Sequence, residues 1–215
     1  MRHSAKHLKK IALFRKLIEE HGLPRFERNK TPFEALTRAI IYQQISGKAA
    51  ASIYKKFLTL FGDADVFPSP SDVLQMNTAR MRSAGLSTQK VTYIKDLAQK
   101  FLDGTINHEQ LHTLSNEDVV AALTQVKGIG VWTVHMFLIF TLQRPDLLPT
   151  GDLGIQKGFQ TAFKLRTLPT HTQMEKLARP WRAHASLASW YLWRVADTVK
   201  EKKVSRLKKS RPRAK

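Results

Sequence analysis

The 215-residue sequence contains no cysteine, and this absence excludes several kinds of functional site. Without thiols the chain can form no disulfide, no cysteine nucleophile, no iron–sulfur cluster and no cysteine-bound zinc site. Its eight histidines are scattered, without the spacing that puts two imidazoles on one helix face. We therefore expect no catalytic metal and no cofactor.

Long apolar runs are also missing. No stretch approaches the ~18 consecutive apolar residues of a membrane span, and Met1 to Lys10 lacks the apolar segment of a secretory signal. Hydrophobic residues nevertheless make up 42% of the chain, enough to bury the core of one globular unit or of two small lobes. The sequence predicts a soluble, monomeric, intracellular protein, in the cytoplasm or nucleoid of a bacterium or in the nucleus of a eukaryote.

Acidic residues are few relative to basic ones. The chain has 36 Lys and Arg against 17 Asp and Glu, a formal net charge of +19. Residues 200–215 hold nine of the basic residues and one Glu, and subtracting them from the totals leaves 27 basic and 16 acidic residues. The excess is therefore not confined to the C-terminus, and it indicates a polyanionic partner, with nucleic acid the leading candidate. We expect residues 1–199 to fold and residues 200–215 to form a flexible basic tail.

Apolar residues recur with helical spacing through most of the chain, whereas strand-like alternation is scarce. One such stripe follows Thr31-Pro32, and another follows Ser87 and ends at Asp103-Gly104. We predict an all-α protein of about ten helices, arranged as two lobes with a cleft between them. The first stripe consists of Phe33, Leu36, Ile40 and Ile41, and the second of Val91, Ile94, Leu97, Ala98 and Phe101.

The segment from Asn116 to Phe140 reads as a helix, a tight turn and a second helix. Gly128 and Gly130 permit positive φ and bring no side chain between the backbone and a ligand. The second helix would offer its N-terminal N–H groups to the same anion. This pattern predicts a helix-hairpin-helix element that holds a nucleic-acid phosphate without reading base sequence. The predicted phosphate contacts are Val126, Gly128, Gly130 and Thr133.

These residues carry a family resemblance. The sequence resembles the 3-methyladenine DNA glycosylase II family of the helix-hairpin-helix (HhH-GPD) superfamily, and it is similar to the compact, yeast-type members. Matching stretches cover most of the chain: Leu123 to Thr133, Arg144 to Asp146, Pro149 to Ile155, Gln43 to Ser46, Arg82 to Ser87 with Lys90 and Tyr93, Pro180 to Arg182, and Trp190 to Arg194.

The resemblance implies that Asp152 is the catalytic carboxylate. From its spacing alone, Asp152 is the N-cap of a helix that begins at Leu153. An alkylated purine already carries positive charge and leaves without a general acid, so one anion that stabilises the oxocarbenium-like sugar would suffice.

A base inside a duplex must be flipped out before its glycosidic bond can be reached. The resemblance implies that Ile45 is the wedge that fills the vacated stack, with Gln44 and Ser46 beside it in the minor groove. The alternative for this stretch is an ordinary helix end with capping or solvent-facing glutamines. Tyr42 and Trp132 are the candidates for stacking on a cationic base. Trp181, Trp190 and Trp193 have spacing more typical of core residues.

Trp132 also bears on the mechanism. Bifunctional relatives place a lysine at this point of the motif, where its amine attacks the sugar. Without that amine, we expect base hydrolysis without strand cleavage. Two alternatives remain open: a non-catalytic helix-hairpin-helix module that only binds DNA, and a glycosylase for deaminated or mispaired bases.

Overall fold

The computed structural model describes residues 2–26, 30–62 and 66–209, with the backbone alone from residue 200 onward. Across this part of the chain all regular secondary structure is helical, which confirms the all-α prediction. Twelve α-helices and two short 3₁₀ helices (Gln110–His112 and Arg179–His184) are found there. The α-helices are α1 (Arg2–Leu8), α2 (Ala12–His21), α3 (Pro32–Tyr42), α4 (Gly47–Thr59), α5 (Pro70–Gln75), α6 (Thr78–Ser83), α7 (Thr88–Leu102), α8 (Asn116–Leu123), α9 (Val131–Phe140), α10 (Leu153–Ala162), α11 (His171–Ala178) and α12 (Ala185–Lys209).

The helices fall into two compact units. The terminal unit consists of Met1–Phe26 and Gln143–Lys215 and contains α1, α2 and α10 to α12. The central unit is Glu27–Leu142 and contains α3 to α9. The two helical lobes predicted from the sequence correspond to these units.

In the central unit, local sequence signals set the helix starts. Thr31 precedes α3 and accepts the Glu34 N–H through Oγ1 at 3.2 Å. Ser87 precedes α7 and accepts the Lys90 N–H through Oγ at 3.2 Å. Helices α3, α5 and α6 all pack against α7, so α7 organises this unit. The predicted core stripe of α3 is confirmed, since Phe33, Leu36, Ile40 and Ile41 are all buried.

Aromatic packing forms the core of the terminal unit. The Trp181 ring meets Phe14 edge-on, with the ring centroids 5.2 Å apart, and stacks on Phe159 with the centroids 5.8 Å apart. Tyr191 is fully buried and donates a hydrogen bond from its hydroxyl to the Gly22 carbonyl at 2.7 Å. Burial raises the pKa of Tyr191 to about 12. The prediction that Trp181 is a core residue is confirmed.

Helices α10 and α12 approach each other closely at Gly158. A Cβ atom at this position would lie 2.4 Å from the Leu192 carbonyl oxygen, far inside van der Waals contact. Glycine is therefore required here by packing. Backbone conformation is not the reason, since other residues also adopt the φ of this position. The close approach brings the first turn of α10, at Gly154, beside Trp193 of α12.

Helix α12 continues to Lys209. The predicted boundary between a folded domain and a basic tail, at residue 200, thus falls inside this helix, and the backbone of residues 200–209 is helical where a flexible tail was predicted. Apolar packing of Tyr191 and Leu192 anchors the helix upstream, and propagation from a formed helix is favourable even for a polar sequence. Residues 210–215 lie outside the described residues.

Candidate DNA interface and carboxylate site

The helix-hairpin-helix prediction is confirmed in the central unit, where α8 and α9 flank a tight turn. The Ile129 N–H donates to the Val126 carbonyl at 3.1 Å, and Gly128 has a φ of +81°, a conformation that favours glycine. Helix α9 then begins after Gly130. The first i to i−4 hydrogen bond of α9 runs from the Val134 N–H to the Gly130 carbonyl at 3.2 Å. The N–H groups of the residues before Val134 are not part of this series of helical hydrogen bonds.

The two hairpin glycines have different roles. Both glycines permit positive φ, but only Gly128 adopts it, since the φ of Gly130 is −96°. Gly130 is instead the N-cap of α9, in an extended conformation that any residue adopts. A Cβ atom added to it would have no neighbour within 4 Å. Gly130 thus keeps the space in front of the helix end open, as an approaching anion requires.

Gly128 is needed for a different reason, which is the packing of Tyr93. A Cβ atom at Gly128 would lie 2.1 Å from the Tyr93 ring. On the same helix, Asp96 accepts the Lys127 N–H at 2.9 Å and pairs with Lys100 at 2.8 Å. Burial raises the pKa of the Asp96 carboxyl, but the hydrogen bonds and positive charge of Lys100 and Lys127 outweigh it, so the pKa lies below its usual value. The α7 helix therefore supports the hairpin.

The other two predicted phosphate contacts, Val126 and Thr133, lie on the hairpin with buried side chains, 2% and 6% exposed. The Val126 N–H is already bonded to the Leu123 carbonyl at 3.2 Å. An anion could therefore meet only backbone groups at these positions, and Thr133, in the first turn of α9, is the better placed of the two.

The loop Gln43–Ser46 joins α3 to α4. Ile45 is one of several exposed large apolar side chains, 38% exposed, and Gln44 has a φ of +58°, in the left-handed region. Ser46 caps α4 by accepting the Ala49 N–H at 3.3 Å. The side-chain cap is thus Ser46 and not one of the glutamines expected in the alternative reading, and the Ile45 side chain is left exposed.

Two side chains hold this loop in place. The Gln43 Nε2 donates to the Gly128 carbonyl at 2.8 Å, so the loop is bonded to the hairpin. The Lys90 Nζ donates to the carbonyls of Ile41 at 2.7 Å and Gln43 at 2.8 Å. Both Gln43 and Lys90 belong to the motifs noted in the sequence, but neither contact could be read there.

The predicted pocket aromatics differ in exposure. Trp132 is 54% exposed at the start of α9. Tyr42 is half-buried at the end of α3, and the Arg38 guanidinium carbon lies 4.3 Å from the centroid of its ring. The Tyr42 face thus already attracts one cation.

Asp152 lies in the terminal unit as the N-cap of α10, which confirms the predicted cap. Its Oδ1 accepts the Ile155 N–H at 2.8 Å and also accepts a hydrogen bond from Trp193 Nε1 at 2.9 Å. The Asp152 N–H is itself bonded to the Pro149 carbonyl at 2.9 Å. Both the main chain and the side chain of Asp152 are therefore fixed.

Gly154 makes the contact between Asp152 and Trp193 possible. A Cβ atom at residue 154 would lie 2.9 Å from both the Asp152 Oδ1 and the Trp193 Cδ1. Trp193 is half-buried and packs against the core of the terminal unit, as its spacing predicted. Its hydrogen bond to a carboxylate 41 residues earlier in the chain was missed, because helical spacing says nothing about which distant residue an indole meets.

Among the residues that the structure describes, no group of three or more His, Cys, Asp or Glu side chains could hold a metal ion. Within that same part of the chain, no helix combines the length and apolar character needed to cross a membrane.

Comparisons with known proteins agree with these features. Residues 37–183 match the HhH-GPD superfamily of base excision DNA repair proteins. The chain is 35% identical over 195 residues to DNA-3-methyladenine glycosylase 1 of Schizosaccharomyces pombe, covering 90% of this chain and 85% of that protein. It is 38% identical over 200 residues to DNA-3-methyladenine glycosylase of Saccharomyces cerevisiae, covering 77% and 67%.

Two solved structures have the same fold. The S. pombe 3-methyladenine DNA glycosylase Mag1 in complex with abasic DNA aligns with a TM-score of 0.76 at 35% identity, covering 89% of this chain and 95% of that one. A DNA-3-methyladenine glycosidase from Bacillus halodurans aligns with a TM-score of 0.81 at 29% identity, covering 92% and 91%. The resemblance drawn from the hairpin and Asp152 motifs is confirmed, and the chain belongs to the HhH-GPD superfamily of base excision DNA repair proteins.

Proposed function

We propose that this protein is a monofunctional DNA glycosylase that hydrolyses the N-glycosidic bond of alkylated purines, of the 3-methyladenine and 7-methylguanine type, in duplex DNA. It would thereby initiate base excision repair. It would act as a monomer, in the cytoplasm or nucleoid of a bacterium or in the nucleus of a eukaryote. The observation that carries the proposal is the fixed carboxylate of Asp152 in a member of this superfamily. The names of its relatives support the substrate class.

Asp152 would act on the sugar. As the bond to a cationic base breaks, positive charge develops on the sugar ring, and a preorganised anion stabilises that charge without reorganising. The two hydrogen bonds at Oδ1 fix the carboxylate before the substrate arrives. The same anion can orient the water that attacks the sugar.

The central unit would bind and distort the DNA. The open end of α9 at Gly130 would receive a backbone phosphate through main-chain N–H groups. The exposed Ile45, between Gln44 and Ser46, would insert into the stack that the flipped base leaves. Tyr42 and Trp132 would stack on the electron-poor base. Because the Arg38 guanidinium covers one face of the Tyr42 ring, the base would use the other face.

The direct test is the release of free bases from methylated duplex DNA, separated by chromatography. We expect the wild-type protein to release alkylated purines, and Asp152→Asn to lower single-turnover release by about a hundredfold to a thousandfold, as for loss of a central electrostatic group. Affinity for undamaged duplex should stay the same or rise slightly, because one anion near phosphates is removed.

Asp197→Asn is the matched control, because Asp197 is an exposed carboxylate in the same unit that pairs with Arg194 at 3.2 Å. It should release bases at the wild-type rate. No released base from the wild-type protein would leave only a DNA-binding module, whereas release of uracil or hypoxanthine alone would replace the substrate class. Equal loss of binding and excision in Asp152→Asn would make the aspartate a purely structural cap.

The assignment as monofunctional predicts that borohydride does not trap the enzyme on damaged DNA and that the product strand is intact with an abasic site. Only an amine forms the reducible imine that leads to strand cleavage, and the motif position that carries lysine in bifunctional relatives is Trp132. A stoichiometric adduct formed at the rate of base release would contradict this, and mapping it to a lysine would identify the nucleophile.

The hairpin assignment predicts that Gly130→Asp weakens binding to every duplex by about tenfold at low salt, because a carboxylate would face the phosphate at close range. Gly130→Ala is the matched control. It adds an uncharged Cβ atom at an ordinary φ, so any fall in its affinity reports only the space taken by a methyl group and should be much smaller than that of Gly130→Asp. Equal affinities for Gly130→Asp and Gly130→Ala, measured by fluorescence anisotropy, would remove this helix end from the interface.

A further inference from the structure

A half-buried lysine, Lys90, is hydrogen-bonded to the backbone where the loop Gln43–Ser46 begins. The Lys90 ammonium donates to two carbonyls, those of Ile41 and Gln43, at the C-terminal end of α3. A positive charge there complements the negative end of the helix dipole. Burial lowers the pKa of Lys90, and the two carbonyl contacts offset part of the cost of taking its ammonium out of water.

The loop that Lys90 holds is not in a relaxed conformation. Gln44 has a φ of +58°, which a residue with a side chain adopts only when its surroundings impose it. The Lys90 contacts fix the backbone directly before Gln44, and the Gln43 side chain ties the same point to the Gly128 carbonyl. Ile45, the next residue, is consequently presented to solvent in a defined position.

One helix supports both the loop and the hairpin. Lys90, Tyr93 and Asp96 occur every third residue along α7, so they span about 9 Å of the helix. Lys90 contacts the loop, Tyr93 packs on Gly128 and Asp96 accepts the Lys127 N–H. Gln43 closes the set by joining the loop to the hairpin.

We propose that Lys90 is a positioning residue for base flipping, which fixes Ile45 at a set distance from the phosphate-binding hairpin. The proposal rests on the proposed function, because it assumes that Ile45 enters the DNA stack. A loop already held in its binding conformation loses little conformational entropy when it inserts into DNA. A flexible loop must first be ordered, and the entropy lost in ordering it weakens the binding of DNA. Lys90 acts through the loop and touches neither the sugar nor the base.

The test compares affinity for a duplex that contains a tetrahydrofuran abasic analogue with affinity for the intact duplex. The abasic duplex has an empty place in its stack, so the ratio of the two affinities measures wedge insertion and does not depend on base release. We expect Lys90→Met to lower this ratio by about tenfold, the size of a lost charged hydrogen bond. Lys90→Arg, which keeps the charge and donors, should retain most of the preference.

Lys95→Met is the matched control. Lys95 is on the same helix and donates to the Leu74 carbonyl at the end of α5 at 3.2 Å, away from the loop. This variant should lose thermal stability much as Lys90→Met does while keeping the wild-type ratio. If Lys90→Met does not fold, Gln43→Met tests the same connection by removing the exposed hydrogen bond to the hairpin, and it should also lower the ratio.

A double-mutant cycle with Ile45→Ala separates positioning from general stability. If Lys90 acts through the wedge, Lys90→Met has no further effect on the ratio once Ile45 is gone. The proposal is overturned by an unchanged ratio in Lys90→Met, by an equal fall in Lys95→Met, by an additive cycle, or by a wild-type ratio of one. If the affinity ratios come out as expected but the wild-type protein releases no base, the proposed function is wrong and the positioning role of Lys90 stands.

Discussion

The carboxylate site depends on the close approach of α10 and α12. Glycine at positions 154 and 158, one helical turn apart, leaves room for α12 to lie against α10, with Leu192 and Trp193 facing the two glycines. The approach delivers the Trp193 indole N–H to the Asp152 carboxylate, while α10 supplies the Ile155 N–H from its first turn. An anion held by two donors on rigid elements is the arrangement that electrostatic catalysis requires.

The central unit has a comparable organisation around α7. A single helix carries the ammonium under the loop Gln43–Ser46, the ring against Gly128 and the carboxylate that caps the hairpin. The hairpin would therefore meet a phosphate through its backbone, and the loop would present the Ile45 side chain, while the geometry of both segments comes from side chains behind them. This explains why Val126 and Thr133 are buried although they belong to the hairpin motif. Their side chains build the hairpin, and only main-chain groups are available to a phosphate.

Elements set by local patterns could be predicted from the sequence. The caps Thr31 and Ser87, the apolar stripe of α3, the hairpin turn and the N-cap at Asp152 all depend on residues within a few positions of one another. Contacts between distant residues could not be predicted. Nothing near Trp193 marks its bond to Asp152, and nothing near Lys90 marks its hold on the α3 carbonyls. Gly130 shows a related limit, since glycine spacing does not reveal whether a position needs positive φ or only open space.

We propose that Asp152 stabilises the developing charge on the sugar because α12 holds its carboxylate in place, and Trp193→Phe tests this most directly. The measurement is the single-turnover rate of base release from methylated duplex at saturating enzyme, with Trp190→Phe, also half-buried on α12, as the control. Loss of one charged hydrogen bond predicts release about tenfold to a hundredfold slower, with affinity for undamaged duplex unchanged and Trp190→Phe near wild type. A wild-type rate in Trp193→Phe would contradict the account.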